Sequence, residues 1–417
     1  AAGEGQNVAH QQKKLEENEM VEYRDRFSIP LTDQQAAAAE YFIPEEHSEE
    51  VRYLKARREE LGGVSMSRRM QSEPRFETPP LEMFKPQLES SGDREISTTM
   101  AFVRILAALT RDKSIGKYVV PIVPDESRTF CMEGMFRQLG IYSPKGQLYI
   151  PEDSEQLMYY REDIKGQVLQ EGINEAGAMS SWIAAGTAYS HYNVPMVPFY
   201  IFYSMFGFQR IGDLAWAAGD QRARGFLLGG TAGRTTLAGE GLQHQDGHSL
   251  VQANTIPNCV SYDPTYAYEL AVIIQDGIRR MYENDESVFF YITCMNENYR
   301  HPAMPEGSAE GILKGMYKLQ STDADDKQAT IQLLGSGTIL NEVVDAAAIL
   351  KDEYGIGSDV WSITSFNELA RDGNDVERHN RLNPDAESRT AYITQCLQDA
   401  QGPVLAATDY MKVYSDQ

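Results

Sequence analysis

The sequence predicts an α/β protein: a mainly parallel sheet, followed by a second and smaller α/β unit. Three observations predict it. Short apolar runs alternate with helical patterns along most of the chain. Those runs are nearly continuous rather than alternating, as strands covered on both faces are. A strand, a Gly-x-Gly turn and a helix then follow one another in ATIQLLGSGTILNEVVDAAAIL. A length of 417 residues favours two or three domains.

Taken in order, residues 1–90 are polar and rich in Glu, Gln, Arg and Pro. LEENEMVEYRDRF and SEEVRYLKARREEL read as exposed helices with Glu and Arg three or four residues apart. SMSRRMQSEPRFETPPLEMFKP, with four prolines, reads as a linker lying along a surface. From Ile96 the pattern changes, and residues 91–303 form the expected main domain. STTMAFVRILAALTRD is an amphipathic helix capped by Ser97 or Thr98. KYVVPIVPD, VPMVPFYIFYS, RARGFLLGGTAG, NCVSYDP and ESVFFYITC are five buried strands. NEAGAMSSWIAAGTAYS and YAYELAVIIQDGIRRMY are helices among them. Residues 304–417 form the smaller domain, with further strands in YGIGSDVWSITSF and GPVLAATDY. The last of these runs out close to Gln417, so this domain is expected to be incomplete. In a parallel sheet the active groups gather at the C-terminal ends of the strands.

Composition narrows the function classes. The net charge of -23 disfavours nucleic acid, whose phosphates need clustered Lys and Arg. No run of about eighteen apolar residues occurs, so no membrane helix is expected. AAGEGQNVAHQQKK lacks the apolar stretch of a signal peptide. Cys131, Cys259, Cys294 and Cys396 show no metal or redox spacing and read as reduced thiols.

Three windows carry chemistry. GRTTLAGEGLQHQDGHS, residues 233–249, surrounds Glu240, His244, Asp246 and His248 with glycines, which permit close backbone approach. A histidine beside carboxylates serves as an acid or base near neutral pH. His244 and His248 have the spacing of two zinc ligands on a helix. The Glu of H-E-x-x-H is missing, however, and Gly247 weakens a helix, so zinc is not expected. The bland reading is a pair of structural histidines in a loop. In GQVLQEGINEAGAMSSWIAAG, Glu175 opens a helix of small residues. It is either a carboxylate sharing a proton with a ring nitrogen or a plain partner of the helix dipole. FYIFYSMFGFQRIGDLAWAAGDQRARGF supplies Tyr200, Phe202, Tyr203, Phe206, Phe208, Arg210 and Asp213. These form either a core cluster or a slot for a flat heteroaromatic ring.

NEAGAMSSWIAAGTAYS, VPFYIFYSMFGFQRIGDLAWAAGDQ and GRTTLAGEGLQHQDGHS together resemble the pyrimidine-binding domain of homodimeric-type pyruvate dehydrogenases, the first component of the pyruvate dehydrogenase complex. DESRTFCMEGMFRQLGIYSP, SYDPTYAYELAVI, MNENYRHPAMPEG, LLGSGTIL and SFNELARDG extend the resemblance over essentially the whole chain. It implies the pyrimidine-binding fold of thiamine-diphosphate enzymes plus a partial transketolase-like C-terminal domain. It also implies oxidative decarboxylation of pyruvate with reductive acetylation of a lipoyl group. Glu175 then matches the glutamate on the aminopyrimidine nitrogen and Phe206 the aromatic stacked on that ring. Tyr203 and His244 match side chains facing the substrate. Arg210, Glu240, Asp125 and Glu126 match supporting or loop-contacting residues. His10 matches a mobile inner loop that helps transfer the acetyl group, and residues 145–161 match a second mobile loop.

The family's Gly-Asp-Gly motif and the Asn-Asn that follows it, which hold magnesium and the diphosphate, do not occur in these 417 residues. The resemblance therefore implies a diphosphate-binding domain or chain as partner, together with the lipoyl domain and core of the acetyltransferase component, and a homodimer. The expected compartment is bacterial cytoplasm, or a mitochondrial or plastid matrix in a eukaryote. Two alternatives stay open. One is a catalytically silent scaffold of the same complex, which would have no reason to keep Glu175, Tyr203, Phe206 and His244 together. The other is a related enzyme such as transketolase or another thiamine-dependent α-keto acid dehydrogenase.

Overall fold

The computed structural model describes residues 4–11, 13–63, 68–124, 127–152, 154, 160–235, 237, 241–324 and 329–417. It divides into two units, Ala1–Arg68 and Arg69–Gln417. In the first, Glu17–Arg26 and Glu49–Glu60 are helices without a buried residue. Ser48 caps the second helix through the Val51 amide. Their apolar content is too low to close a core, so charge pairs such as Arg57–Glu60 dress an exposed surface.

The second unit is built on a six-stranded, all-parallel sheet. Its strands are β1 (Val119–Val123), β2 (Leu169–Gln170), β3 (Val197–Tyr203), β4 (Phe226–Gly230), β5 (Cys259–Tyr262) and β6 (Phe289–Thr293). They lie in the order β2-β1-β3-β4-β6-β5. In β3, Phe199 and Ile201 enter one hydrophobic cluster while Tyr200 and Phe202 enter another. Both faces are covered, which is why the run is apolar throughout. Helices α1 (Thr98–Arg111, capped by Ser97), α2 (Glu175–Gly186), α3 (Gly207–Asp220), α4 (Ser249–Asn254) and α5 (Ala267–Ile278) accompany these strands. The proline-rich stretch before α1 does more than lie along a surface, since Phe76 and Phe84 reach the core.

A second sheet of four strands follows: β7 (Met316–Thr322), β8 (Thr330–Gly335), β9 (Gly357–Ile363) and β10 (Val404–Ala407), in the order β7-β9-β8-β10. β7 runs antiparallel to β9, and the other pairs are parallel. Helices α6 (Ile339–Tyr354) and α7 (Phe366–Leu382) belong to it. Glu269 of α5 ties the two sheets together. Its carboxyl accepts the Thr265 and Tyr266 amides at 2.6 and 2.9 Å, and the Tyr317 and Ser362 hydroxyls at 2.6 Å each. Burial pushes this carboxyl's pKa up, and the four donors oppose that shift. Among the described residues, no helix is long and apolar enough to cross a membrane.

His301 gives the fold a pH dependence. Its Nδ1 accepts the Ala267 amide at 2.9 Å, and Nε2 lies 3.0 Å from the Ile96 carbonyl. The ring is therefore neutral with its proton on Nε2. Burial holds its pKa down to about 4, against 6.5 for a free side chain. Between those values the unfolded chain binds a proton that the folded chain refuses. The contribution is complete above pH 6.5 and is lost as pH falls toward 4, by about 3 kcal/mol at roughly 1.4 kcal/mol per unit. Urea midpoints between pH 7 and 4.5 are expected to fall more steeply for the native chain than for His301→Gln. Parallel slopes would remove His301 from this account.

Candidate active site

The site lies at the C-terminal ends of β1 and β3, where parallel sheets present their side chains. Tyr203 is the last residue of β3, and Phe206 directly precedes α3. The turn is tight: a Cβ on Gly207 would meet Cε2 of Phe202 at 2.0 Å, so only glycine fits there. Glu175 opens α2, whose preceding Asn174 accepts the Gly177 amide at 3.0 Å. The carboxylate thus sits at a capped helix N-terminus, where backbone amides favour negative charge.

A cavity of about 190 Å³ is lined by Glu175, Tyr200, Tyr203, Phe206, Arg210 and His244, among others. Arg210 Nη1 donates to Glu175 Oε1, and its guanidinium carbon lies 4.4 Å from the Phe206 ring centre. The His244 ring is 4.8 Å from Tyr203 and 5.4 Å from Phe206. Phe130 backs Tyr203 at 5.1 Å. Burial, then Glu175 and Glu171, push the Tyr200 phenol up, so it remains a neutral hydroxyl. His244 Nδ1 is buried with no hydrogen-bond partner among the described residues. A buried, unpartnered polar atom on a residue that lines a cavity calls for an explanation, and a ligand group is one. The arrangement offers a carboxylate, an aromatic face, a phenol and an unsatisfied imidazole around one small slot.

Of the residues singled out in the sequence, the structure brings Glu175, Tyr203, Phe206, Arg210 and His244 together. Asp125, Glu126 and Glu240 lie outside the described residues, as does the side chain of His10, whose backbone belongs to the short 3-10 helix Asn7–Gln11 of the first unit. In the segment 145–161, residues 153 and 155–159 also lie outside them, while Tyr160 donates to Glu162 at 2.8 Å. Asp246 plays a structural part. It is buried and accepts the His248 and Ser249 amides at 3.0 and 2.9 Å, holding the start of α4. His248 Nε2 pairs with Gln209 at 2.9 Å. Among the described residues no three His, Cys, Asp or Glu side chains converge as a metal site. All four cysteines are free, with Cys259 and Cys294 buried. Sequence reading passed over Asn174, Ile173 and Pro124, which also line the cavity. An Asn as the first residue of a predicted helix was the available signal for the first.

Comparison with known proteins gives the family and the fold. Residues 77–302 match the pyruvate dehydrogenase E1 component middle domain, and residues 315–417 match the transketolase-like C-terminal domain. The pyruvate dehydrogenase E1 component of Pseudomonas aeruginosa is 62% identical over 100% of this chain, which covers 47% of that protein. The Escherichia coli protein of the same name is 57% identical over 100% of this chain and 46% of its own length. The chain therefore spans about half the length of the curated relatives it matches. Among solved structures, the transketolase of Campylobacter jejuni aligns with a TM-score of 0.59 at 14% identity, over 94% of this chain and 51% of that one. The Leishmania mexicana transketolase gives 0.55 at 17%, over 80% and 44%. At such identity these two establish the transketolase-like α/β fold alone. The match of the middle-domain model to more than half of the residues assigns the family: this chain belongs to the pyruvate dehydrogenase E1 components.

Proposed function

We propose that this chain supplies the pyrimidine-binding half of a pyruvate dehydrogenase active site, which a diphosphate-binding domain or partner chain completes. One observation carries the reading. Glu175, Tyr203, Phe206, Arg210 and His244 are spread over 70 residues of sequence, yet all line one small cavity. The donor set fits thiamine diphosphate. A flat aminopyrimidine needs an aromatic face, which Phe206 offers, and a carboxylate on its ring nitrogen, which Glu175 offers. Arg210 now covers one face of Phe206 and pairs with Glu175, so it must yield or the ring must take the other face. When bound, this cofactor supplies the carbon nucleophile and electron sink that α-keto acid decarboxylation requires.

In this reading Glu175 moves a proton to and from the ring nitrogen. Tyr203 and His244 orient the carboxylate of pyruvate and hold a proton beside its carbonyl. Asp125, Glu126 and Glu240 are supporting or loop-contacting residues. Magnesium and the diphosphate belong to the other domain. Residues 1–90 carry the inner loop of His10, residues 91–303 form the pyrimidine-binding domain, and residues 304–417 are the C-terminal domain. The working assembly is a homodimer that meets the lipoyl domain and core of the acetyltransferase component.

The test uses the enzyme reconstituted with its diphosphate-binding half. His10 lies in a polar segment without apolar periodicity, suited to a loop that orders over a ligand. An imidazole there can deliver a proton to an incoming disulfide. His10→Ala is expected to spare decarboxylation with an artificial electron acceptor and to cut acetylation of a lipoyl domain by about a hundredfold. Equal losses in both assays, or none in either, would sink this division of labour. Absence of any pyruvate turnover by the reconstituted native enzyme would sink the function itself.

A further inference from the structure

The stretch between β4 and α4 leaves the sheet at Gly233 and returns at Gly247, and its two ends meet. The Asp246 amide donates to the Gly233 carbonyl at 2.9 Å. The Arg234 side chain lies across Gly247, where an added Cβ would touch Nε at 3.2 Å. The second lobe closes over this junction from the chain just past β10. The Asp409 carboxylate accepts the Thr235 amide at 2.8 Å, the Thr235 hydroxyl at 3.0 Å and the Arg234 amide. The Asp409 carbonyl accepts Arg234 Nε at 2.6 Å, and the Met411 amide donates to the Gly247 carbonyl at 2.8 Å. Asp409 is 5% exposed, so its contacts are shielded from water and correspondingly strong.

This collar stands three residues from His244. The His244 backbone amide bonds only locally, to the Gly241 carbonyl at 2.9 Å. Its buried Nδ1 has no partner among the described residues. The imidazole packs against the Tyr203 and Phe206 rings but has no hydrogen bond at Nδ1 to fix it, so its position depends on the backbone that the collar holds. We propose that Asp409, in the C-terminal domain, is a positioning residue for His244 in the pyrimidine-binding domain, giving the second lobe a direct share in active-site geometry. The proposal deepens the function above, since it takes His244 as a group that faces the substrate.

Asp409→Asn preserves shape and leaves one accepting oxygen where two served three donors. Asp409→Ala removes both. In the reconstituted enzyme, Asp409→Ala is expected to lower kcat by about tenfold to a hundredfold, the cost of misplacing a group by about 1 Å, with KM within about threefold. Asp409→Asn should fall between it and the native enzyme. A second readout does not use turnover: deuterium exchange at the His244 ring carbon, followed by mass spectrometry, reports the imidazole's surroundings. It should rise several-fold in both variants while exchange at His191 stays constant. Asp409→Asn guards against simple misfolding, and its unfolding transition should remain cooperative. Unchanged exchange at His244 in a folded Asp409→Asn enzyme overturns the proposal whatever the activity does. Raised exchange with undiminished turnover supports the collar and instead sinks the catalytic reading of His244.

Discussion

Glu175→Gln is expected to reduce pyruvate decarboxylation in the reconstituted enzyme by a hundredfold or more, while the fold stays intact. The amide has the shape of the carboxylate. Its oxygen can still accept from Arg210, and the cap supplied by Asn174 to Gly177 does not involve the Glu175 side chain. What it loses is the ability to give and take a proton at that oxygen, a contribution of about a hundredfold to ten-thousandfold where an acid or base acts in the transition state. Far-UV dichroism and the thermal midpoint should change little, whereas turnover should collapse at every pH. Glu175→Ala is the less informative variant, since it also frees Arg210. Turnover within about threefold of native for Glu175→Gln would remove the carboxylate from its assigned role.

How much of this was legible beforehand follows from where each signal resides. β3 was plain because VPFYIFY is apolar on both faces, and only a strand covered on both sides can be so. β2 was not, because two residues carry no periodicity. β7 escaped notice because MYKLQST is buried at its start and mostly solvated afterwards. α7 escaped for a similar reason: its buried residues, Phe366, Asn367 and Leu369, all lie at its N-terminal end, and the remainder reads as a polar surface. The resemblance picked out Glu175, Tyr203, Phe206, Arg210 and His244, but their mutual geometry is tertiary. The Glu175–Arg210 pair joins residues 35 apart, and the Asp409 collar joins residues 174 and 175 apart. No local pattern encodes those separations. Asp246 is a further case: a carboxylate among histidines, it accepts the His248 and Ser249 amides at the start of α4, which no local pattern announced.

The stability of the second unit is expected to depend on Glu269 more than on any surface ion pair. Glu269→Ala would strip acceptors from two backbone amides, of Thr265 and Tyr266, and from two hydroxyls, of Tyr317 and Ser362. All these donors are buried, and water cannot replace the lost oxygen without entering the core. At about 1–3 kcal/mol for each unsatisfied buried group, with partial relief by relaxation, a loss of about 4 kcal/mol is expected. An exposed pair such as Lys85–Glu89 would contribute less than about 1 kcal/mol by comparison. Glu269→Gln should be far milder. Its amide oxygen can keep the two backbone donors, while its NH₂ group donates to Tyr317 and Ser362 after their hydroxyls rotate. Tyr317 can then donate onward to the Tyr268 hydroxyl 2.6 Å away. Because Tyr317 lies on β7 and Ser362 on β9, the loss in Glu269→Ala falls on the joint between the two sheets. Urea unfolding should therefore show a lower midpoint and separate transitions for tryptophan signals from the two sheets' surroundings, Trp182 on α2 and Trp216 on α3 reporting the first and Trp361 the second. A single transition displaced by under about 1 kcal/mol would mean that apolar contacts, and not this carboxyl, hold the lobes together.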